Sequence, residues 1–372
     1  MRFRWTVSSS AAIRMPSRKS LRCWFRAALV GVCLAGAVSG QSAADPADLM
    51  RNAFLSGSDR LRLRAFGTAL EAGHLGPAET LFMRRELLAQ GYGVEPGQLS
   101  LTARRLSFAP VLGWDGNING GVLQDRLTIG GLVLEADPAF RAKAGLVFGG
   151  AGGAMARFAW GPGRVVELTA GGELAWSPRH EIGRADSALS LCSRNHVQDW
   201  VFLDLCALGT RSWRELDTSN AHRLSAELSK VFATGRSVQE AGLRYEAVST
   251  SGGMQDRLRL SLERIGSAGV SDIALTLGAR MDETTVLRQR IEAGYSWARA
   301  GRDWRVDLWY QRAEGGAFLG QPREDRSQGF GVSASLRPGV TLRLGVMSSR
   351  STAAIANYDQ ITFDIRFSNL LR

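Results

Sequence analysis

The sequence predicts a mainly β chain: an antiparallel outer-membrane β-barrel of about 14 strands with a small N-terminal helical region. Three observations predict it. From about Leu101 to Ser368 apolar and polar residues alternate in short segments, as at Trp304, Val306, Leu308 and Tyr310 against Arg305, Asp307 and Gln311. Successive strand side chains point to opposite faces, so each segment has one apolar and one polar face. The pattern recurs in segments of about 10 residues with no helical segment between them, as in strands that cross a membrane obliquely. The connections of the second half also alternate between tight (Thr234–Ser237, Gly266–Gly269, Ala298–Arg302, Arg337–Gly339) and longer (Thr250–Met254, Asp282–Leu287, Ala313–Gln328, Ser348–Asp359). A soluble sandwich has no reason to sort its loops by parity.

Residues 1–44 carry Arg2, Arg4, Arg14, Arg18, Lys19, Arg22 and Arg26 and no acid, then an apolar run from Ala27 to Val38 and small residues. This is the pattern of a cleaved secretory signal, with cleavage after Gly40 or Ala44 and Met15 as an alternative start. The run is short for a membrane helix of about 20 residues. The chain's +11 charge falls to +4 without this segment, which argues against a nucleic-acid partner. After export, two-sided strands leave a soluble β protein or an outer-membrane barrel. Cys192 and Cys206 are the thiols that remain. An oxidising envelope favours a disulfide between them, the alternative being two free thiols in the wall.

Residues 45–93 read as a short helical periplasmic region. Pro46–Phe54, Asp59–Ala72 and Pro77–Gln90 have Pro or Asp at their starts, and Gly73 and Gly91 end two of them. Leu63, Phe66 and Leu70 make one apolar stripe, and Leu81, Leu87 and Leu88 contribute to another. The region is too small for a core of its own, so it is expected to pack on, or plug, the barrel of residues 101–372.

Barrel strands are predicted near Leu101–Gly113, Asp125–Leu134, Ala142–Trp160, Arg164–Trp176, Trp200–Trp213, Ala221–Phe232 and Val238–Ser249. The second half adds Gln255–Ile265, Val270–Met281, Arg288–Trp297, Asp303–Arg312, Gly329–Leu336, Val340–Met347 and Gln360–Ser368. In the first half parity fails: Trp160–Arg164 is tight where an outer loop is due, and Pro178–Asp199 is long where an inner turn is due. That stretch either hides strands around Ser187–Ser193 or folds into the lumen. Aromatics near strand ends, among them Trp160, Trp176, Trp213, Tyr295, Trp297 and Trp304, suit interfacial girdles.

The polar faces supply the candidate lumen-facing residues Glu167, Glu173, Arg244, Glu246, Arg257, Arg259, Arg280, Arg288, Arg290, Glu292, Arg305, Asp307, Asp364 and Arg366. Both signs are present, so they can pair along the wall or line a polar conduit. Asp115–Gly120 matches half of a calcium loop, but its twelfth position is Arg126, and turn chemistry explains the same residues. His222, near Ser219 and Asn220, is a wall histidine without a nucleophile set around it. No catalytic residue, metal site or cofactor is assigned.

Phe108–Gly121, with Asn117, Ile118 and Asn119 at its centre, then Leu127–Leu132 and Ala142–Leu146, resembles the start of the barrel in the surface lipoprotein assembly modulator (Slam) family. The resemblance implies about fourteen outer-membrane strands behind helical repeats, and assistance in moving lipoproteins or related cargo to the cell surface. The chain departs from that family in having room for little more than one helical pair, and in running past Phe367 to Arg372. The expected function is therefore non-enzymatic assistance in translocation or surface display. The alternative is a general porin or passive channel, and an outer-membrane hydrolase comes third. The expected partners are outer-membrane lipids, secreted or lipoprotein cargo and the barrel assembly machinery.

Overall fold

The computed structural model describes residues 46–124, 126–129, 132–235 and 237–367. The expected signal and the tail Ser368–Arg372 lie outside the described residues. Three helices come first: α1 (Pro46–Ala53), α2 (Asp59–Glu71) and α3 (Pro77–Ala89). Ser58 caps α2 by accepting from the Leu61 N–H.

The wall begins with β1 (Ser100–Asp115). After a hairpin of β2 (Arg126–Ile129) and β3 (Leu132–Glu135) it continues through β4 (Gly145–Gly161), β5 (Arg164–Ser177), β6 (Ile182–Gln198), β7 (Val201–Trp213), β8 (Thr218–Thr234) and β9 (Ser237–Thr250). It is completed by β10 (Gly253–Gly266), β11 (Gly269–Gly278), β12 (Val286–Arg299), β13 (Arg302–Phe318), β14 (Gln321–Arg337), β15 (Val340–Ser351) and β16 (Tyr358–Phe367). These fourteen strands, all but β2 and β3, form a closed antiparallel barrel. It is sealed by β1 on β16 from Val111↔Arg366 to Trp114↔Phe363.

In the first half one expectation is corrected, and one of two open readings, hidden strand or inward fold, is decided for the strand. The segment expected as a strand over Asp125–Leu134 is not part of the wall. Its described residues form the β2–β3 hairpin, whose arms of four residues reach about 13 Å and cannot cross an apolar band of about 25 Å. Within Pro178–Asp199 lies a complete wall strand, β6, paired with β5 and β7 along its length. The strand lost at Asp125–Leu134 and the strand gained at Ile182–Gln198 cancel in the strand count. They also restore parity: at the rim shared by the helices, the six connections after β4, β6, β8, β10, β12 and β14 span two residues each. Asp199–Trp200 and Ala300–Gly301 have positive φ at both central positions, the primed turn that matches strand twist. At the other rim the first connection, residues 116–144, is by far the longest. The expected loop Ala313–Gln328 is instead mostly strand, β13 and β14 continuing to a tight turn at Leu319–Gly320.

The outward face is an apolar belt. Leu106, Leu174, Leu189, Leu224, Leu260, Ile273 and Leu344 stand exposed around it, Leu106 at 72% and Leu174 at 67%. Each such side chain left in water forgoes roughly 1.5–3 kcal/mol of burial, so the belt needs an apolar solvent. Aromatics bracket it: Trp176 and Trp213 towards the loop rim, Trp160 and the stacked Tyr295, Trp297 and Trp304 towards the rim of short turns. That is the wall of a membrane barrel.

Candidate functional site

The inward positions of the wall carry charge of both signs, nearly all of it paired. Glu167 on β5 is buried and takes the guanidinium of Arg157 on β4, with Arg194 at 3.1 Å. Glu173 binds Arg184 at 2.5 Å. Arg244 binds Glu227 at 2.5 Å and lies 3.5 Å from Glu246, which is 3.6 Å from Arg223. Arg257 donates to Gln255 at 2.7 Å. Arg259 pairs with Glu292, which also holds Arg290 at 2.9 Å. Arg288 reaches Glu314 at 3.7 Å, Arg305 bridges Asp272 and Asp307 at 2.7 and 2.6 Å, and Arg366 binds Asp364 at 3.2 Å.

Arg280 does not belong to this set. Strand β11 ends at Gly278, and the Arg280 side chain stands 73% exposed in the connection to β12, on Asp282 at 2.8 Å. Two glycines let long side chains lie flat on the inner wall. A Cβ at Gly294 would fall 2.2 Å from Arg305 Nη2, and one at Gly329 would fall 2.4 Å from Trp309 Nε1, whose ring carries Arg290 at 4.8 Å.

The end of the lumen at the short turns is occupied by the helices. Leu49 and Ala53 of α1 and Leu61, Ala65 and Phe66 of α2 share one apolar core with Phe202, Val231, Val238, Ile265 and Val270 of β7–β11. Polar contacts fasten the same segment. Asn52 donates to the carbonyls of Gly266 and Ser267, both at 2.8 Å. In the linker between α1 and α2, Ser56 Oγ and the Gly57 N–H donate to Glu263 at 2.6 and 3.0 Å, and Ser58 Oγ donates to Glu240. Arg60 donates to Asp204 at 2.5 Å and lies over the Phe202 ring at 4.2 Å. Asp59 lies 3.6 Å from Arg157, whose Nη1 donates to the Ala89 carbonyl at the end of α3. Tyr92, after α3, has its phenol pushed above its usual range by burial, with Arg60 pulling the other way.

Sequence reasoning missed Asn52, Ser56, Ser58 and Arg60. The one signal available was the polar linker Ser56–Gly57–Ser58 between two apolar stripes, which reads equally well as a plain helix cap.

At the loop rim, the first connection folds inward. Ile118 is 0% exposed, packed with Val147, Ala175 and Ile182. Asn119 is equally buried. It donates to the Arg141 carbonyl and accepts from the Lys143 N–H, both at 2.8 Å. Asn117 donates to the Gly121 carbonyl at 2.8 Å. Asp115 accepts the Asn117 N–H on one oxygen and has Arg184 and Arg214 at 3.1 Å on the other. The half-motif for calcium is thus an Asx turn clamped by two arginines. Asn117, Ile118 and Asn119 together pin both ends of the loop. The loop also reaches across the rim, to Leu216 beyond β7 and to Asn357 before β16.

Cys192 and Cys206 are directly opposed on β6 and β7 and are joined by a disulfide. Glu167, across from Cys192, faces inward, so the bridge faces the lumen. His222 faces the other way, outward and exposed on β8.

No protein-family profile and no curated protein sequence matches the chain. Among solved structures, it is similar to Pseudomonas aeruginosa OccK2 (OpdF) in complex with glucuronate, with 9% identity and a TM-score of 0.40 over 73% of this chain and 99% of that one. It is also similar to Acinetobacter baumannii OccAB4, with 8% identity and a TM-score of 0.38 over 74% and 99%. Pseudomonas aeruginosa OpdL gives 12% identity and 0.35 over 73% and 97%. Likeness of this degree leaves the function to be read from the barrel's own wall and lumen.

Proposed function

We propose that the protein is an outer-membrane channel for small polar solutes, held shut at its periplasmic end by its own N-terminal helices. The observation that carries this reading is the fastening of the α1–α2 linker and the first turn of α2 to inward carboxylates of the wall, Ser56 and Gly57 to Glu263, and Arg60 to Asp204. A charge-lined interior gives a solute a continuous series of polar partners without a single deep well, which conduction requires. Eight-stranded barrels are filled by side chains and sixteen-stranded ones leave an aqueous channel; fourteen strands fall between. The helices enter from the rim of short turns, which in outer-membrane barrels is the periplasmic one.

The test is conductance of the refolded protein in planar bilayers. The intact chain should rest in a low-conducting state. A variant without residues 46–93, or one with Arg60→Ala and Asn52→Ala, should show larger and longer openings. A steady large conductance in the intact chain would remove the plug from the reading and leave an open porin.

A second reading, assistance in moving lipoproteins or related cargo to the surface, draws support from α3. No residue of that helix is buried, and Leu81 and Leu88 stand exposed beside Arg84 and Arg85. Such a face can receive a partner segment in the periplasm. Arg84→Glu together with Leu81→Ala and Leu88→Ala should abolish surface delivery of a lipoprotein under that reading, and leave conductance untouched under the first.

A further inference from the structure

The outward belt is interrupted near the loop rim. Across β4–β8 the small residues Gly152, Ala154, Ala170 and Gly209 leave a depression of about 640 Å³, and Arg211, Asn220 and His222 line its upper end. The register sets Arg211 opposite Asn220 and His222 opposite Gly209. Arg211 and His222 are therefore diagonal neighbours on one face, about 7–8 Å apart at the backbone. Both lie further into the belt than Trp213, whose exposed indole marks its edge on the same strand. Among the described residues neither side chain has an ion-pair or hydrogen-bond partner. Lipid tails disfavour an unpaired guanidinium, and anionic headgroups favour it.

We propose that this depression seats one anionic, phosphate-bearing lipid of the leaflet at the loop rim. Its phosphate lies between Arg211 and His222, and an acyl chain runs down over Gly209, Ala170 and Ala154. The inference rests on the membrane reading above. Charge complementarity selects this occupant over a second copy of the chain. A twofold contact on this face would bring the same basic groups against one another.

The experiment is native mass spectrometry of the detergent-solubilised full chain, titrated with dioleoyl phosphatidic acid, dioleoyl phosphatidylcholine or dioleoylglycerol. The wild type should retain phosphatidic acid at least tenfold better than the other two. Arg211→Gln with His222→Gln should erase that preference, and both side chains are exposed, so the wall should fold unchanged. Gly209→Leu should weaken retention while keeping both cations; a Cβ there meets His222 Nδ1 at an ordinary 3.6 Å. Arg326→Gln, which removes another exposed arginine, should retain lipid as the wild type does.

The same preference in the double variant, equal retention of all three lipids, or a dimer in place of the lipid adduct would each overturn the proposal. A wild type that binds no lipid and does not enter vesicles would overturn the membrane reading itself. Insertion without preference would overturn this inference alone.

Discussion

Arg60 of α2 donates to Asp204 of β7 at 2.5 Å while its guanidinium lies 4.2 Å over Phe202, so one side chain joins the helical region to the wall by charge and by an aromatic face. Both partners are largely buried, at 13% and 16% exposure. Removing one member of such a pair strands the other, at a cost of about 3–5 kcal/mol. Asp204→Ala should therefore release the helices more than the double change Arg60→Met with Asp204→Leu, which leaves no orphaned charge. Hydrogen exchange of residues 46–71 checks this: protection should fall in the single variant and recover in the double one, with the strands unaffected in both.

The loop-rim closure has a different anchor. Ile118 is fully buried against Val147, Ala175 and Ile182, and truncating such a side chain costs about 2–5 kcal/mol. Because Ile118 lies beyond the end of β1, that loss should fall on the loop and spare the wall. Ile118→Ala should open residues 116–144 to limited proteolysis from the loop side while the barrel keeps its resistance to unfolding in cold detergent. If the loop remains protected, Asn119 and the Asp115–Arg214 contact hold it without Ile118.

How far the chain could be read from its residues follows from how much of each signal is local. Alternation is local, and it gave the barrel and the inward faces of β9, β10, β12 and β13, whose outward positions are dense in Leu, Ile and aromatics. Strand β6 stayed one of two readings because its outward positions include Gly183, Ala185, Ser187, Ser193 and Asn195, leaving Leu189, Leu191 and Val197 as the apolar signal. The hairpin residues of β2 and β3 are apolar enough to imitate a strand, but too few to cross. Arg280 continued an alternating pattern past the point where β11 leaves the wall. The contacts of Asn52, Ser56 and Arg60 join residues more than 140 positions apart, so no window of sequence could reveal them.

The disulfide should matter little to the barrel. Cys192 and Cys206 are already neighbours in the β6–β7 ladder, so the bridge adds a constraint where a full register of backbone bonds exists. Closing a loop of about 15 residues can contribute about 3 kcal/mol in the chain-entropy account, and less where the unfolded chain retains the hairpin. Cys192→Ser with Cys206→Ser should lower the denaturation midpoint modestly and leave conductance unchanged. A lost channel would show that the bridge shapes the lumen.

The sharpest test of the wall compares its two faces at similar depth. Leu260 on β10 is 48% exposed on the outward face, mid-strand, whereas Ser190 on β6 points inward between Cys192 and Ala188. An arginine on the lipid face near the bilayer midplane costs about 2–4 kcal/mol, and a lumen position is spared that cost. Leu260→Arg should lower folding stability in vesicles by that amount, and Ser190→Arg by much less, with conductance as its main readout. In a water-soluble barrel the order would reverse: arginine at exposed Leu260 would be harmless and arginine at Ser190 would crowd the interior.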